Sequence, residues 1–220
     1  FTAGSIAGER EKQTLDILLT TTLTPGEIIM GKLMSSISMV FLLVVSSLPI
    51  ISIVFTIGGI GMEDMIMFML EILIISFFIG SMGMLASTML KKTVQATVCS
   101  FAQIVLVCGG TVVVVIVAYI AAKLYYYNCM GAVGSMPDVS SVLFILLINP
   151  AFTIVQMTAK HCESISVISK AAGMLNGSMP STIVDNWFRL SMISQMIVTV
   201  ILLRISAILL KPTRKKKTVS

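Results

Sequence analysis

The residues that could do chemistry are few, and most of them lie at the ends of long apolar stretches. Glu71 is the clearest exception, because it lies about two helical turns inside such a stretch. An ionisable residue so placed often lines a transport pathway, although Glu71 could instead reach the nearer interface beside Glu63 and Asp64. Since no Ser/His pair, paired Asp or metal-binding group accompanies it, we predict neither a catalytic nor a metal site.

Histidine and cysteine add no metal-binding motif. His161 stands next to Cys162, a spacing more typical of a solvated loop than of a metal site. Cys99 and Cys108 lie in an apolar run and are expected to be packing residues. Cys129 and Cys162 fall in a polar region, where they could form a disulfide if that region is extracellular. The sequence leaves both their states open.

The composition is that of a membrane protein. Hydrophobic residues make up 56% of the chain and charged residues 11%, with a mean hydropathy of +1.01. Soluble domains have about 25% charged residues, because their surface faces water. The chain is therefore expected to lie in a lipid bilayer. Its basic residues 211–217 suit anionic lipid headgroups, and so short a tail does not predict nucleic-acid binding.

Four segments are long and apolar enough to cross a bilayer, which takes about 20 helical residues. They are predicted at 29–57, 65–90, 95–122 and 187–210. Pro49 is expected to kink the first span, and Lys91 and Lys92 follow the second. The tyrosines 125–127 follow the third span, as aromatic residues do at a membrane interface.

The region 123–186 differs in character, being rich in Gly, Ser and Asn. It contains one apolar run, 142–157, which Asn149 and Pro150 interrupt. Because this run is shorter than a standard span and broken in the middle, we predict a re-entrant or interfacial element in an extracellular region.

The distribution of basic residues supports four crossings. Ten basic residues then lie on one side of the membrane and four on the other, and the richer side is expected to be cytoplasmic. The ten are Arg10, Lys12, Lys32, Lys91, Lys92, Lys211, Arg214, Lys215, Lys216 and Lys217. We therefore predict a cell-membrane protein whose residues 1–28 and tail 211–220 are cytoplasmic.

Residues 9–22 are predicted to form an amphipathic helix. Leu15, Leu18, Leu19 and Thr22 recur at the spacing of one helical face. The remaining surface carries Glu9, Arg10, Lys12, Gln13 and Asp16. Such a helix is too short and too charged to cross the membrane, so it should lie at the membrane surface or at a junction with a soluble partner.

A capped junction is expected directly after this helix. Thr24 can cap the next helix, Pro25 suits its first turn, and Glu27 can complete a capping box. Further along the chain, small residues recur at helical spacing at Ser76, Gly80, Gly83 and Ser87. This stripe predicts close helix packing, either within the chain or against a second copy.

The run GEREKQTLDILLTTTLTPGEIIMGKL, residues 8–33, resembles the signature of permease subunits of the type-2 ATP-binding-cassette exporter family. That family has a Glu-Arg-Glu stretch, a Thr-Leu-x-x-Leu-Leu helix and a Pro-x-Glu-x-x-x-Gly-Lys turn in this order. The matching residues here are Glu9, Arg10, Glu11, Thr14, Leu15, Leu18, Leu19, Pro25, Glu27, Gly31 and Lys32.

The resemblance implies that residues 9–22 are a coupling helix, which docks into a separate ATPase subunit. That subunit would bind the ATP and Mg²⁺, and a second permease copy or homologous half would complete the transporter. The chain itself has no G-x-x-x-x-G-K-[ST] phosphate loop, which argues independently that it does not hydrolyse ATP. The family pattern has six spans, so two are expected to precede Phe1.

The sequence therefore predicts an all-α polytopic membrane protein with about four spans, a cytoplasmic coupling helix and a broken outer segment. Its expected function is that of an exporter permease, not an enzyme, which moves substrate by alternating access. The alternative is a non-transporting scaffold, immunity or sensor component that docks a cytoplasmic partner through the same helix. Nothing in the sequence identifies the substrate.

Overall fold

The computed structural model describes residues 2–15, 23–58, 61–130, 137–163, 167–175 and 179–210. Within these ranges, only the backbone is described for 54–56, 58, 129–130 and 160–163. Leu18, Leu19, the tail 211–220 and the possible disulfide between Cys129 and Cys162 therefore lie outside the described residues or side chains.

The described part of the chain is helical and contains no strand. Its α-helices are α1 (Ala7–Glu11), α2 (Pro25–Gly58), α3 (Met62–Met89), α4 (Thr93–Tyr125), α5 (Pro150–Glu163), α6 (Val167–Met174), α7 (Ser181–Asp185) and α8 (Trp187–Leu210). Two 3-10 helices, Thr2–Gly4 and Ser140–Ile148, and a π-helical turn, Tyr126–Met130, complete the described elements.

Four of these helices, α2, α3, α4 and α8, are long and apolar enough to cross a membrane. Helix α2 continues through Pro49. The most apolar part of α4 has no buried residue, which suits a helix whose surroundings are lipid rather than water. The all-α, multi-span fold class predicted from composition is thus confirmed.

The predicted interruption at Asn149 and Pro150 is a sharp bend. The 3-10 helix Ser140–Ile148 meets α5 at an angle of 107°. Asn149 has an extended backbone and is 1% exposed. Its side-chain amide donates to the carbonyl of Cys108 at 2.9 Å and to Thr111 Oγ1 at 2.8 Å. These bonds hold the bend against α4.

The contacts divide the chain into two compact units. The first comprises 1–58, 75–102 and 198–220, and the second comprises 59–74 and 103–197. In the first unit, the core contains Ile6, Leu15, Ile28, Ile29, Leu33, Ile37, Met84 and Leu210. In the second, it contains Leu143, Leu146, Ile168, Ala172, Leu175 and Trp187.

Candidate functional site

The segment predicted to be one amphipathic helix is broken near its start. Helix α1 ends at Glu11, and Gln13 has a positive φ of 58°. The hydroxyl and amide of Thr14 then bond back to the Glu9 carbonyl at 3.2 and 2.9 Å. The described residues 9–15 are therefore not one continuous helix, because leucine spacing reports which side chains share a face and not whether the backbone between them is uninterrupted. Residues 16–22 of the predicted helix lie outside the described residues.

Glu9 forms an ion pair within the chain. Its carboxylate accepts a 2.5 Å bond from Lys32 Nζ on α2, and the same ammonium group donates to the Ser5 carbonyl at 3.1 Å. Both side chains are less than one-third exposed, at 29% for Glu9 and 23% for Lys32. Partial shielding from water strengthens such a charge-assisted bond, so the pair fastens the start of α1 to α2.

Arg10 and Glu11 bind the facing ends of two further helices. The Arg10 guanidinium donates to the carbonyls of Thr88 and Leu90 at 3.2 and 3.3 Å, at the C-terminus of α3. Glu11 accepts from the hydroxyl and amide of Thr93 at 2.8 and 3.1 Å, at the N-terminus of α4. A cation at a helix C-terminus and an anion at an N-terminus complement the helix dipoles.

The two bonds from Thr93 lower the pKa of Glu11 below its ordinary value, because both stabilise the ionised carboxylate. The bond from the Thr93 hydroxyl has the larger effect and the bond from the amide the smaller one. Lys92 adds a smaller effect in the same direction. The cap on α4 is therefore strongest when Glu11 is charged.

The small-residue stripe on α3 packs within the chain. Ser87 Oγ accepts the backbone amides of Ile6 and Ala7 at 3.0 and 2.9 Å. A Cβ at Gly83 would overlap Thr2 Oγ1 and lie 3.2 Å from the Ala3 nitrogen. One at Gly80 would lie 2.8 Å from Leu33 Cδ1. Small residues are thus needed here because the N-terminal segment and α2 cross α3 closely.

The predicted capping box at the start of α2 is confirmed. The Thr24 amide donates to the Glu27 carboxylate at 2.7 Å, and Thr24 Oγ1 accepts from the Glu27 amide at 3.3 Å. Pro25 is the first helical residue. A side chain added at Gly31 would meet nothing within 4 Å. The capping box thus fixes the first turn of α2, whereas there is space for a side chain at Gly31.

Glu71, the predicted intramembrane candidate, is fully enclosed in the second unit. It is 1% exposed, and neither carboxyl oxygen makes a well-formed hydrogen bond with any described residue. Gln195, which is 0% exposed, is the side chain that interacts with it. Glu71 is therefore enclosed by other residues of this unit.

Gln195 joins Glu71 to a buried polar network. Its amide donates to Thr153 Oγ1 and Ser191 Oγ, each at 3.1 Å. Those two hydroxyls bond each other at 2.5 Å, and Ser191 Oγ also bonds the Leu147 carbonyl at 2.9 Å. The network thus connects α3, α5 and α8 through side chains that hydrogen bonds fix in position.

One family model matches almost the whole chain. It describes an ABC-2 family transporter protein, and the match covers residues 1–212. The chain belongs to the ABC-2 transporter family. Comparison with curated proteins gives no match, and comparison with solved structures gives none either.

Membership and fold together make this ABC-2 family protein a multi-pass membrane component, the permease part of an ABC transporter. Such components are typically not catalytic, and the family implies association with an ATP-binding-cassette ATPase. Within the described residues of the permease, no group of three His, Cys, Asp or Glu side chains is placed to hold a metal ion.

The permease brings together predicted residues from both sides of the break. Thr14 bonds Glu9, and Leu15 is buried in the core of the first unit. Sequence reasoning assigned the triplet Glu9–Glu11 to contacts with a partner, whereas each of its side chains bonds another part of this chain. Lys12 and Gln13, at the break, are exposed, as Glu11 and Thr14 on either side of them are.

The polar network next to Glu71 was missed from sequence. Ser191 and Gln195 stand four residues apart in an apolar span, so they share one helical face, and this spacing was an available signal. Thr153 gave no such signal, because its position depends on the bend at Asn149.

Proposed function

We propose that this ABC-2 permease is the membrane-spanning part of an exporter that moves substrate by alternating access. A separate ATP-binding-cassette ATPase subunit would bind ATP and Mg²⁺ and supply the energy. A second permease copy or homologous half would complete the pathway. The observation that carries the proposal is the attachment of α1 to α2, α3 and α4 through three consecutive charged residues.

This attachment gives a physical route for coupling. A partner that docks against the segment 9–22 and moves would displace α1 together with the helix ends bonded to it. The capped turn at Thr24 and Glu27 adds a stiff connection into α2. Exposed Lys12 and Gln13 are available for contacts with the partner, while Glu9, Arg10 and Glu11 transmit its movement.

Two kinds of variant separate docking from transmission. Lys12→Glu should lower co-purification of the ATPase, because it reverses an exposed charge without touching the bonds of α1 to other helices. Glu11→Gln should leave co-purification unchanged but lower transport-coupled ATP hydrolysis, because it weakens the cap on α4. Lys123→Glu is the matched control for Lys12→Glu, since Lys123 is also exposed and is predicted on the opposite side of the membrane.

The outcomes decide between functions. Fully coupled transport by the permease alone would overturn the proposal. An ATPase that binds at the Lys12 surface but supports no transport in any membrane preparation would favour the scaffold or sensor role instead.

We further propose that Glu71 lies on the transport pathway. Its position in an enclosed polar network supports this, because an ionisable side chain inside a membrane bundle is costly to retain without a function. Glu71→Gln keeps the size and hydrogen-bonding capacity of the side chain while removing the ionisable carboxyl group. It should lower transport and leave ATPase binding unchanged. Transport at the level of the unsubstituted protein in Glu71→Gln would exclude this role.

A further inference from the structure

The second unit contains an open cavity with a volume of about 340 Å³. Its wall includes the first turns of α3 and α8, part of α5, and the end of α7. The volume is within the range of small-molecule sites, which are about 300–1,000 Å³. Neither the family nor the proposed coupling mechanism assigns a ligand to it.

A buried donor on the cavity wall lacks a partner. Trp187 is 1% exposed, and its indole nitrogen has no acceptor within the described ranges. An unsatisfied buried donor is costly, and an acceptor on a ligand would satisfy it. Gln156, also on the wall, is 5% exposed, and its carboxamide oxygen accepts from the Ile168 amide at 3.1 Å, which holds the side chain in place.

The charge on the wall favours a cation. Glu63, Asp64 and Asp185 contribute three carboxylates, against one guanidinium from Arg189. Glu63 and Asp64 lie in the first turn of α3, where the helix dipole favours acids. Asp185 lies between the end of α7 and the start of α8, and a bound cation could pair with its carboxylate.

The rest of the wall suits an apolar body. Trp187 and Phe188 contribute aromatic rings, and Met67 a flexible thioether. Aromatic faces attract cations, and methionine adapts to irregular apolar shapes. The Trp187 ring is itself held by Phe144 and Phe152, with centroids 6.2 and 6.5 Å away, so this surface is preorganised.

We propose that the cavity is a binding site for a small organic cation that has an apolar body and one hydrogen-bond acceptor. Glu63 and Asp185 neutralise its charge, the aromatic rings contact its body, and the Trp187 indole and the Gln156 amide donate to its acceptor. Met67 and Glu71 are four residues apart on one face of α3, so the site lies one turn from the buried carboxyl group. The binding itself does not rest on the proposed ATPase coupling, although it would give that transporter a substrate class.

The test measures binding to the full chain in lipid nanodiscs without any ATPase. Rhodamine 123 is a cationic probe with an ester acceptor, and carboxyfluorescein is a related anionic dye. Fluorescence polarisation should show saturable binding of the cation and none of the anion. Asp185→Asn should weaken cation binding up to about fivefold, the effect of losing one exposed charge contact.

Gln156→Leu tests the amide, and Gln103→Leu is its control, since Gln103 is a helix residue with a buried amide oxygen but does not line the cavity. Gln156→Leu should weaken binding of rhodamine 123 and Gln103→Leu should not. Any of three results would overturn the proposed site. These are equal binding of both dyes, binding no greater than that of empty nanodiscs, and equal affinities of the Asp185, Gln156 and Gln103 variants. Because no ATPase is present, failure here leaves the coupling proposal untouched.

Discussion

The charged triplet Glu9, Arg10 and Glu11 shows how three adjacent residues can serve three different helices. Each side chain leaves α1 in a different direction and bonds a different target: an ammonium group, two helix C-terminal carbonyls and a helix N-terminus. The bonds reach residues that are far away in sequence. Glu9 and Glu11 are the same residue type, yet one binds an ammonium group and the other caps a helix, so the structural role of each charged residue follows from the group it bonds.

The Glu9–Lys32 pair should contribute measurable coupling energy. A double-mutant cycle with Glu9→Gln and Lys32→Met is expected to give about 1 kcal/mol, near the upper end for such pairs because both side chains are mostly shielded. Thermal unfolding in detergent measures it. The control cycle combines Lys32→Met with Glu11→Gln, whose side chain bonds Thr93 instead, and should give a coupling energy near zero.

Glu11 should make the attachment of α1 to α4 sensitive to acid. Since its folded pKa is lowered by the Thr93 bonds, its contribution is fully present above the ordinary carboxyl pKa of about 4.3. It is lost as the pH falls through the lower, folded pKa. Spin labels at Lys12→Cys and Lys91→Cys, with the native cysteines replaced, should give a narrow distance distribution at neutral pH.

As the pH falls through that lowered pKa, the distribution should broaden because Glu11 takes up a proton. Glu11→Gln should give the broad distribution at every pH. A distribution that stays narrow in acid, or that broadens equally with Glu11→Gln in place, would contradict the assignment.

At the scale of elements, the close crossing on α3 is the feature that least tolerates a larger side chain. Gly80 and Gly83 let Leu33 and the segment Thr2–Gly4 approach the helix backbone, and Ser87 then binds the amides of Ile6 and Ala7. Three residues of the stripe, Gly80, Gly83 and Ser87, are therefore in contact with other parts of this chain.

Gly83→Ala should displace the N-terminal segment. The added Cβ meets the Thr2 side chain and the Ala3 backbone, and backbone cannot move aside as a flexible side chain can. We expect a loss of about 1–3 kcal/mol, typical of overpacking, together with faster proteolysis of residues 2–15. Gly109→Ala is the matched control, because nothing lies within 4 Å of a Cβ there. Equal stability of the two variants would refute the close contact.

At the scale of the whole molecule, the charge distribution predicts the orientation. Residues 1–28 and the tail are expected on the cytoplasmic side, and the region 123–186 on the outside. This prediction rests on the distribution of basic residues and on four crossings, and the broken segment 142–157 must then return to the side from which it enters.

Cysteine labelling tests the orientation directly. In a variant without native cysteines, Lys12→Cys should react with an impermeant maleimide only after the cells are permeabilised. Asp138→Cys should react in intact cells, since Asp138 precedes the 3-10 helix Ser140–Ile148 in the predicted outer region. The predicted topology places three crossings between the two positions, so labelling of both from the same side would require an even number and would contradict it.

The sequence by itself determined the features that depend on neighbouring residues. Apolar length predicted membrane-spanning helices, the Thr24–Glu27 spacing predicted the capping box, and Asn149 with Pro150 predicted a break. Each follows from local backbone chemistry or from the thickness of a bilayer. The motif in residues 8–33 indicated the family that the match to residues 1–212 establishes.

Only the tertiary structure decided what the polar groups bind. Arg10 reaches Leu90, and Glu71 lies with Gln195, across separations in sequence that no periodicity encodes. The break at Gln13 likewise went against the leucine pattern, because a face can be kept while the backbone turns. A buried polar group takes whichever partner the packing of apolar surfaces brings near it, and that packing is a property of the whole fold.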